Sequence, residues 1–143
     1  MKSAEPDDEP GGVQVAVDRN ALKNWAKVRE FALGLPGAVE EFPWGESVAK
    51  VNKKVFVFLG VDDGSHPLAL TVKLTDETAH THALTAPGAE PAGYGLGKAG
   101  WVRIPLAEPG APAAELLCDW VEESYRAIAP KRLMGELDAD GRG

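Results

Sequence analysis

Few side chains in this sequence stand at spacings that support bond-making chemistry. Glu40 and Glu41 are adjacent carboxylates ahead of an aromatic turn, Phe42-Pro43-Trp44. A carboxylate pair serves acid/base catalysis only where its surroundings push the two pKa values apart, and neighbouring loop acids are expected to stand exposed. His80 and His82 are two residues apart on a predicted helix, while ligands sharing a helical face stand three or four apart. With His66 in the preceding loop, no metal site is expected. Cys118 is the only cysteine, which excludes an internal disulfide and suits a reducing cytoplasm. On an apolar helix face it reads as a small buried residue rather than a nucleophile. Gly93, Gly95, Gly97 and Lys98 suggest a phosphate cradle, but Ala99 stands where a P-loop needs Ser or Thr. The segment also leads into a strand, so no helix N-terminus is offered to a phosphate. No Ser-His-Asp or Cys-His set has workable spacing. The residues therefore predict a binding protein, not an enzyme, with no cofactor.

What remains is a vocabulary for holding a partner: lysines, four tryptophans and a Gly-rich loop. The formal net charge is -7, and residues 18–130 alone hold eleven Lys or Arg against fifteen Asp or Glu. That balance opposes nonspecific nucleic-acid binding through the long-range field, so any such contact must come from a local basic strip. With 44% hydrophobic and 26% charged residues the composition is that of a soluble globular domain. No apolar run approaches the roughly 18 residues of a membrane span, and the N-terminus does not read as a signal peptide. A cytoplasmic location is expected.

The elements that must position these groups centre on residues 42–60. Ser47–Val51 and Lys54–Val61 read as two strands joined by a two-residue turn at Asn52-Lys53, where Asn tolerates positive φ. The run Val55-Phe56-Val57-Phe58-Leu59 is apolar on both faces, as in a central strand. Leu68–Leu74 and Trp101–Leu106 read as the third and fourth strands. A first helix is expected from Arg19 to Leu33, capped by Asp18, with Ala21, Trp25, Val28, Ala32 and Leu35 on its inner stripe. Arg19, Lys23 and Lys27 form an outer row read as solvated. Thr75 is expected to cap a short second helix, and Pro112 to open a third that ends at Pro130. Residues 1–17 read as an acidic disordered leader, in which Val13, Val15 and Val17 either add an edge strand or lead into the first helix. Residues 131–143 read as a frayed tail. The predicted fold is α+β, one domain over 18–130 in the order α-β-β-β-α-β-α. Its antiparallel sheet has about four strands, with helices packed on one face.

Five pieces carry a family likeness: LGLPGAVEEFPWGES (33–47), AKVNKKVFVFLG (49–60), LTVKLTDETA (70–79), GYGLGKAGWVRIPL (93–106) and WVEESYRAIAPK (120–131). In order and spacing the chain resembles the MmcQ/YjbR-like proteins, small bacterial domains with a double-wing fold that are commonly labelled DNA-binding. The resemblance implies that fold, no catalytic motif, and basic positions at Lys50, Lys54, Lys73 and Lys98 beside Trp101. Where the family typically shows N-K-[KR]-H-W, this chain reads Leu96-Gly97-Lys98-Ala99-Gly100-Trp101.

The residues themselves add Arg103, which with Lys98 flanks Trp101, and Tyr94, which with Trp101 can stack on a base. The expected contact set is thus Lys50, Lys54, Lys73, Tyr94, Lys98, Trp101 and Arg103, on a modest basic strip near the hairpin. DNA is the first expected partner. A small molecule held over the sheet by the tryptophans and the Gly-rich loop is the alternative, and a protein-interaction module is the third. A monomer or weak dimer fits all three.

Overall fold

The first helix keeps its apolar stripe but not its predicted start. In the computed structural model, which describes residues 9–43, 45–60, 68–93 and 96–141, α1 runs Glu9–Leu33 and passes straight through Asp18. Pro10 in its first turn gives up an amide that has no intrahelical partner in any case. No further proline follows until Pro36. Ala21, Val28, Ala32 and Leu35 are buried, as the spacing predicts. Gly34 donates to the Glu30 and Phe31 carbonyls, and Gly37 turns the chain at φ 74.

Among the described residues the expected sheet of about four strands is present, with two short strands added. The strands are β1 (Val39–Glu41), β2 (Ser47–Val51), β3 (Lys54–Gly60), β4 (Ala69–Lys73), β5 (Glu90–Pro91) and β6 (Trp101–Pro105). All pairings are antiparallel, in the order β1-β2-β3-β4-β6-β5. The two additions are the short edges. The β2–β3 turn forms as expected, with Asn52 at φ 52 and Lys53 at φ 70. Among the described residues three more α-helices follow: α2 (Glu77–Leu84), α3 (Ala114–Ile128) and α4 (Lys131–Gly141). The cap of α2 is Asp76 rather than Thr75, its carboxylate accepting from the Ala79 amide at 2.9 Å. Pro112 lies just outside α3, whose cap residue is Ala113.

The ladder decides which side chains share a face, because directly opposed residues point the same way. Ala49, Val57, Val72 and Val102 stand in one row, flanked by Leu59, Leu70 and Ile104, and this is the face on which α1 and α3 pack. Phe56 would alternate onto the opposite face with Phe58. A bulge in the β2–β3 register leaves it without a partner, since Ala49 opposes Val57 and Lys50 opposes Val55. The extra residue turns Phe56 into the core beside Val57, where its ring meets Tyr125 of α3 edge-on at 5.3 Å. Ser124, fully buried on α3, accepts from the Lys73 amide at 2.8 Å and donates to the Phe56 carbonyl at 2.5 Å. It spans β3 and β4 at the end where their own pairing stops at Val57–Val72.

The far face carries Val48, Phe58, Thr71, Lys73, Trp101 and Arg103. Trp101 and Phe58 meet edge-on at 5.4 Å. At the chain's other end, the residues read as a frayed tail form α4. Leu133 is buried there, and a Cβ added at Gly37 would lie 3.0 Å from its Cδ1. Positive φ and this close approach both call for glycine at position 37.

Candidate functional site

One end of the sheet is formed by the β2–β3 turn, the C-terminus of β4 and the N-terminus of β6. Lys50 stands two residues before the turn, Lys53 within it and Lys54 just after it. Lys73 is the last residue of β4 and directly opposes Trp101, the first of β6. Lys98 lies in a 3-10 helix, Leu96–Ala99, that enters β6 through Gly100. The Gly100 carbonyl accepts from the Leu74 amide at 2.9 Å, which ties the segment behind Lys98 to the end of β4. The antiparallel register thus brings five lysines to one rim. Lys53, Lys54 and Lys98 are exposed and Lys73 is partly so. Among the described residues none of these four has an ion pair, while Lys50 Nζ meets Glu41 Oε1 at 3.0 Å. Asp76 and Glu77, both exposed, are the acids that follow Lys73.

The remaining members of the expected contact set sit differently. Arg103 is in mid-strand on the far face, opposite Thr71 on one side and Glu90 on the other. Trp101 is on the rim but only 8% exposed, so its ring offers little surface for stacking. Tyr94, like Trp44 and His66, lies outside the described residues.

A second polar cluster was not expected. Glu40 is not an exposed loop acid. It lies on β1, opposite Ala49, and so faces α1. Arg29 of α1 donates to it twice, Nε to Oε2 at 2.9 Å and Nη2 to Oε1 at 2.5 Å, and the Ser47 hydroxyl donates to Oε2 at 2.6 Å. The Glu40 side chain is 16% exposed and that of Arg29 is 40% exposed. The hydrogen bonds from Arg29 hold the Glu40 carboxyl below the usual carboxylate range, against the opposing effect of burial, with Ser47 adding to them. Beside this cluster Trp25 donates its indole N–H to the Leu59 carbonyl at 2.6 Å. Trp25, Arg29, Glu40, Phe42, Gly45, Ser47 and Gly60 line an open cleft of about 390 Å³. Trp25 and Arg29 are four apart on α1, the one sequence signal that could have marked this wall.

The other reactive types are structural in their surroundings. Burial pushes the Cys118 thiol up, helped by Asp119 and Glu115, which disfavours a nucleophilic thiolate. The Nδ1 of His80 is 3.1 Å from the Leu74 carbonyl, and the His82 ring meets Trp120 edge-on. Among the described residues no group of three or more His, Cys, Asp and Glu is disposed to hold a metal ion, and no helix is long and apolar enough to cross a membrane.

A family model described as YjbR matches residues 33–127, and the chain belongs to the YjbR family. Among curated proteins no relative matches it.

Proposed function

We propose that this YjbR-family domain binds DNA without catalysing a reaction, and that the lysine rim of the sheet is its contact surface. The observation that carries the reading is the gathering of Lys50, Lys53, Lys54, Lys73 and Lys98 at one end by the strand register. A row of flexible ammonium groups on a rigid edge suits a phosphate backbone, which is neutralised charge by charge. Lys50, shared with Glu41, contributes least. Trp101 supports the rim by packing on Phe58 beneath Lys73 and Arg103, rather than by stacking on a base.

The net charge of -7 sets the expected strength. Long-range repulsion leaves little to steer association, so binding is weak, indifferent to base sequence and steep in salt. With about four lysines engaged, the slope of log K against log salt is about -3.6, and raising salt from about 50 to 200 mM costs roughly 100-fold in affinity. Fluorescence anisotropy of a labelled DNA duplex, titrated at several salt concentrations, tests this. The Lys53→Ala/Lys54→Ala double variant is expected to lower the slope by about two. No binding at low salt, or an unchanged slope in the double variant, overturns the proposal.

A further inference from the structure

We infer that the cleft between α1 and the β1 edge is a binding site for a small planar aromatic carboxylate, independent of whether the lysine rim takes DNA. Its volume, about 390 Å³, falls within the range of about 300–1,000 Å³ of small-molecule pockets. Its walls are made of groups held in fixed planes. The Trp25 ring is anchored by its hydrogen bond to the Leu59 carbonyl, and the Arg29 guanidinium by two bonds to Glu40. Gly45 and Gly60 line the cleft without side chains, and a Cβ built at Gly45 meets nothing within 4 Å.

The chemistry of the ligand follows from what is left over. Both Glu40 oxygens already accept hydrogen bonds from Arg29, and Oε2 a further one from Ser47, so a cationic ligand would have to displace Arg29. Arg29 has capacity to spare. Its Nη1 donates to no described residue, and the side chain is 40% exposed. A carboxylate oxygen is the natural acceptor for that amino group. The rest of the ligand must match an aromatic rim. Phe42 is 60% exposed and borders the same cleft as Trp25. An ion pair that only fastened α1 to β1 would need neither an exposed phenyl ring nor an open cleft beside it. A flat ring lying against Phe42 and Trp25, with its acid group on Arg29, uses both the exposed ring and the spare guanidinium donor of this cleft.

Calorimetric titration with 2-naphthoate, and with neutral 2-naphthalenemethanol as its control, tests the assignment. Saturable one-to-one binding of 2-naphthoate is expected, with the alcohol weaker by about tenfold or more for want of the charge-assisted bond. Phe42→Ala removes an exposed ring without opening the core, and is expected to weaken 2-naphthoate by about three- to tenfold. Arg29→Lys keeps a charge for Glu40 but not the planar donor, and is expected to erase the preference for the acid over the alcohol. Should Arg29→Lys fail to fold, Phe42→Ala decides. Absence of saturable binding, equal affinity for acid and alcohol, or 2-naphthoate binding unchanged by Phe42→Ala would sink the inference.

Discussion

The two polar regions of this molecule use charge in opposite ways. On the lysine rim, Lys53, Lys54 and Lys98 stand exposed near the ends of strands, and four of the five lysines lack an ion pair among the described residues. In the Arg29–Glu40–Ser47 cluster every donor to Glu40 is matched, and the carboxylate is largely enclosed. An exposed charge costs the fold little and is free to meet a partner. An enclosed carboxylate is part of the fold, because removing its partner strands it away from water. Groups of the same sign thus stand in different surroundings: rim lysines without an ion pair among the described residues, and Arg29 fastened to Glu40.

That contrast breaks most sharply at Glu40. Glu40→Ala leaves the Arg29 guanidinium and the Ser47 hydroxyl without their acceptor. It should cost about 2 kcal/mol, between the values for exposed and buried pairs, read from the midpoint of urea unfolding. A loss no larger than that of Lys54→Ala would erase the distinction. Acid sharpens the same point. The Glu40 carboxyl titrates below its ordinary value in the folded chain, chiefly because of Arg29. Its contribution is therefore full above the unfolded-state pKa of about 4.3 and is lost as pH falls through the lower folded value. Stability measured from about pH 5 downward should fall less steeply in Glu40→Gln than in the parent chain. The smallest effect belongs to the rim. Lys53 holds φ 70 without being glycine, so Lys53→Gly relieves backbone strain at the turn and should stabilise by about 0.5 kcal/mol, net of the entropy glycine adds to the unfolded chain. A destabilised Lys53→Gly would mean that the side chain makes contacts that outweigh the strain.

Part of the rim was readable in the chain because its logic is local. Lys50, Lys53 and Lys54 straddle a two-residue turn, so assigning the hairpin already groups them, while Lys73 and Lys98 come beside them only through the pairing of β4 with β3 and β6. The enclosed cluster was not readable. Arg29 and Glu40 are separated by the Pro36-Gly37 turn, and they meet only because β1 pairs with β2 in a register that points Glu40 at α1. β1 and β5 themselves escaped notice, since strands of three and two residues carry no alternation to detect. The start of α1 was misplaced because Asp18 has the chemistry of a cap while sitting in a helix interior. The burial of Leu133 by α4 depends on the space left at Gly37, nearly a hundred residues earlier in the chain.

Ser124 gives the rim a mechanical connection to the interior. One hydroxyl joins the backbone of β3, at Phe56, to that of β4, at Lys73. The Lys73 strand end is thereby tied to the last turns of α3, whose next residue, Tyr125, donates to the Pro36 carbonyl at 2.6 Å just past the end of α1. A single oxygen atom thus joins two strands at the rim of the sheet to the helix that packs beneath them.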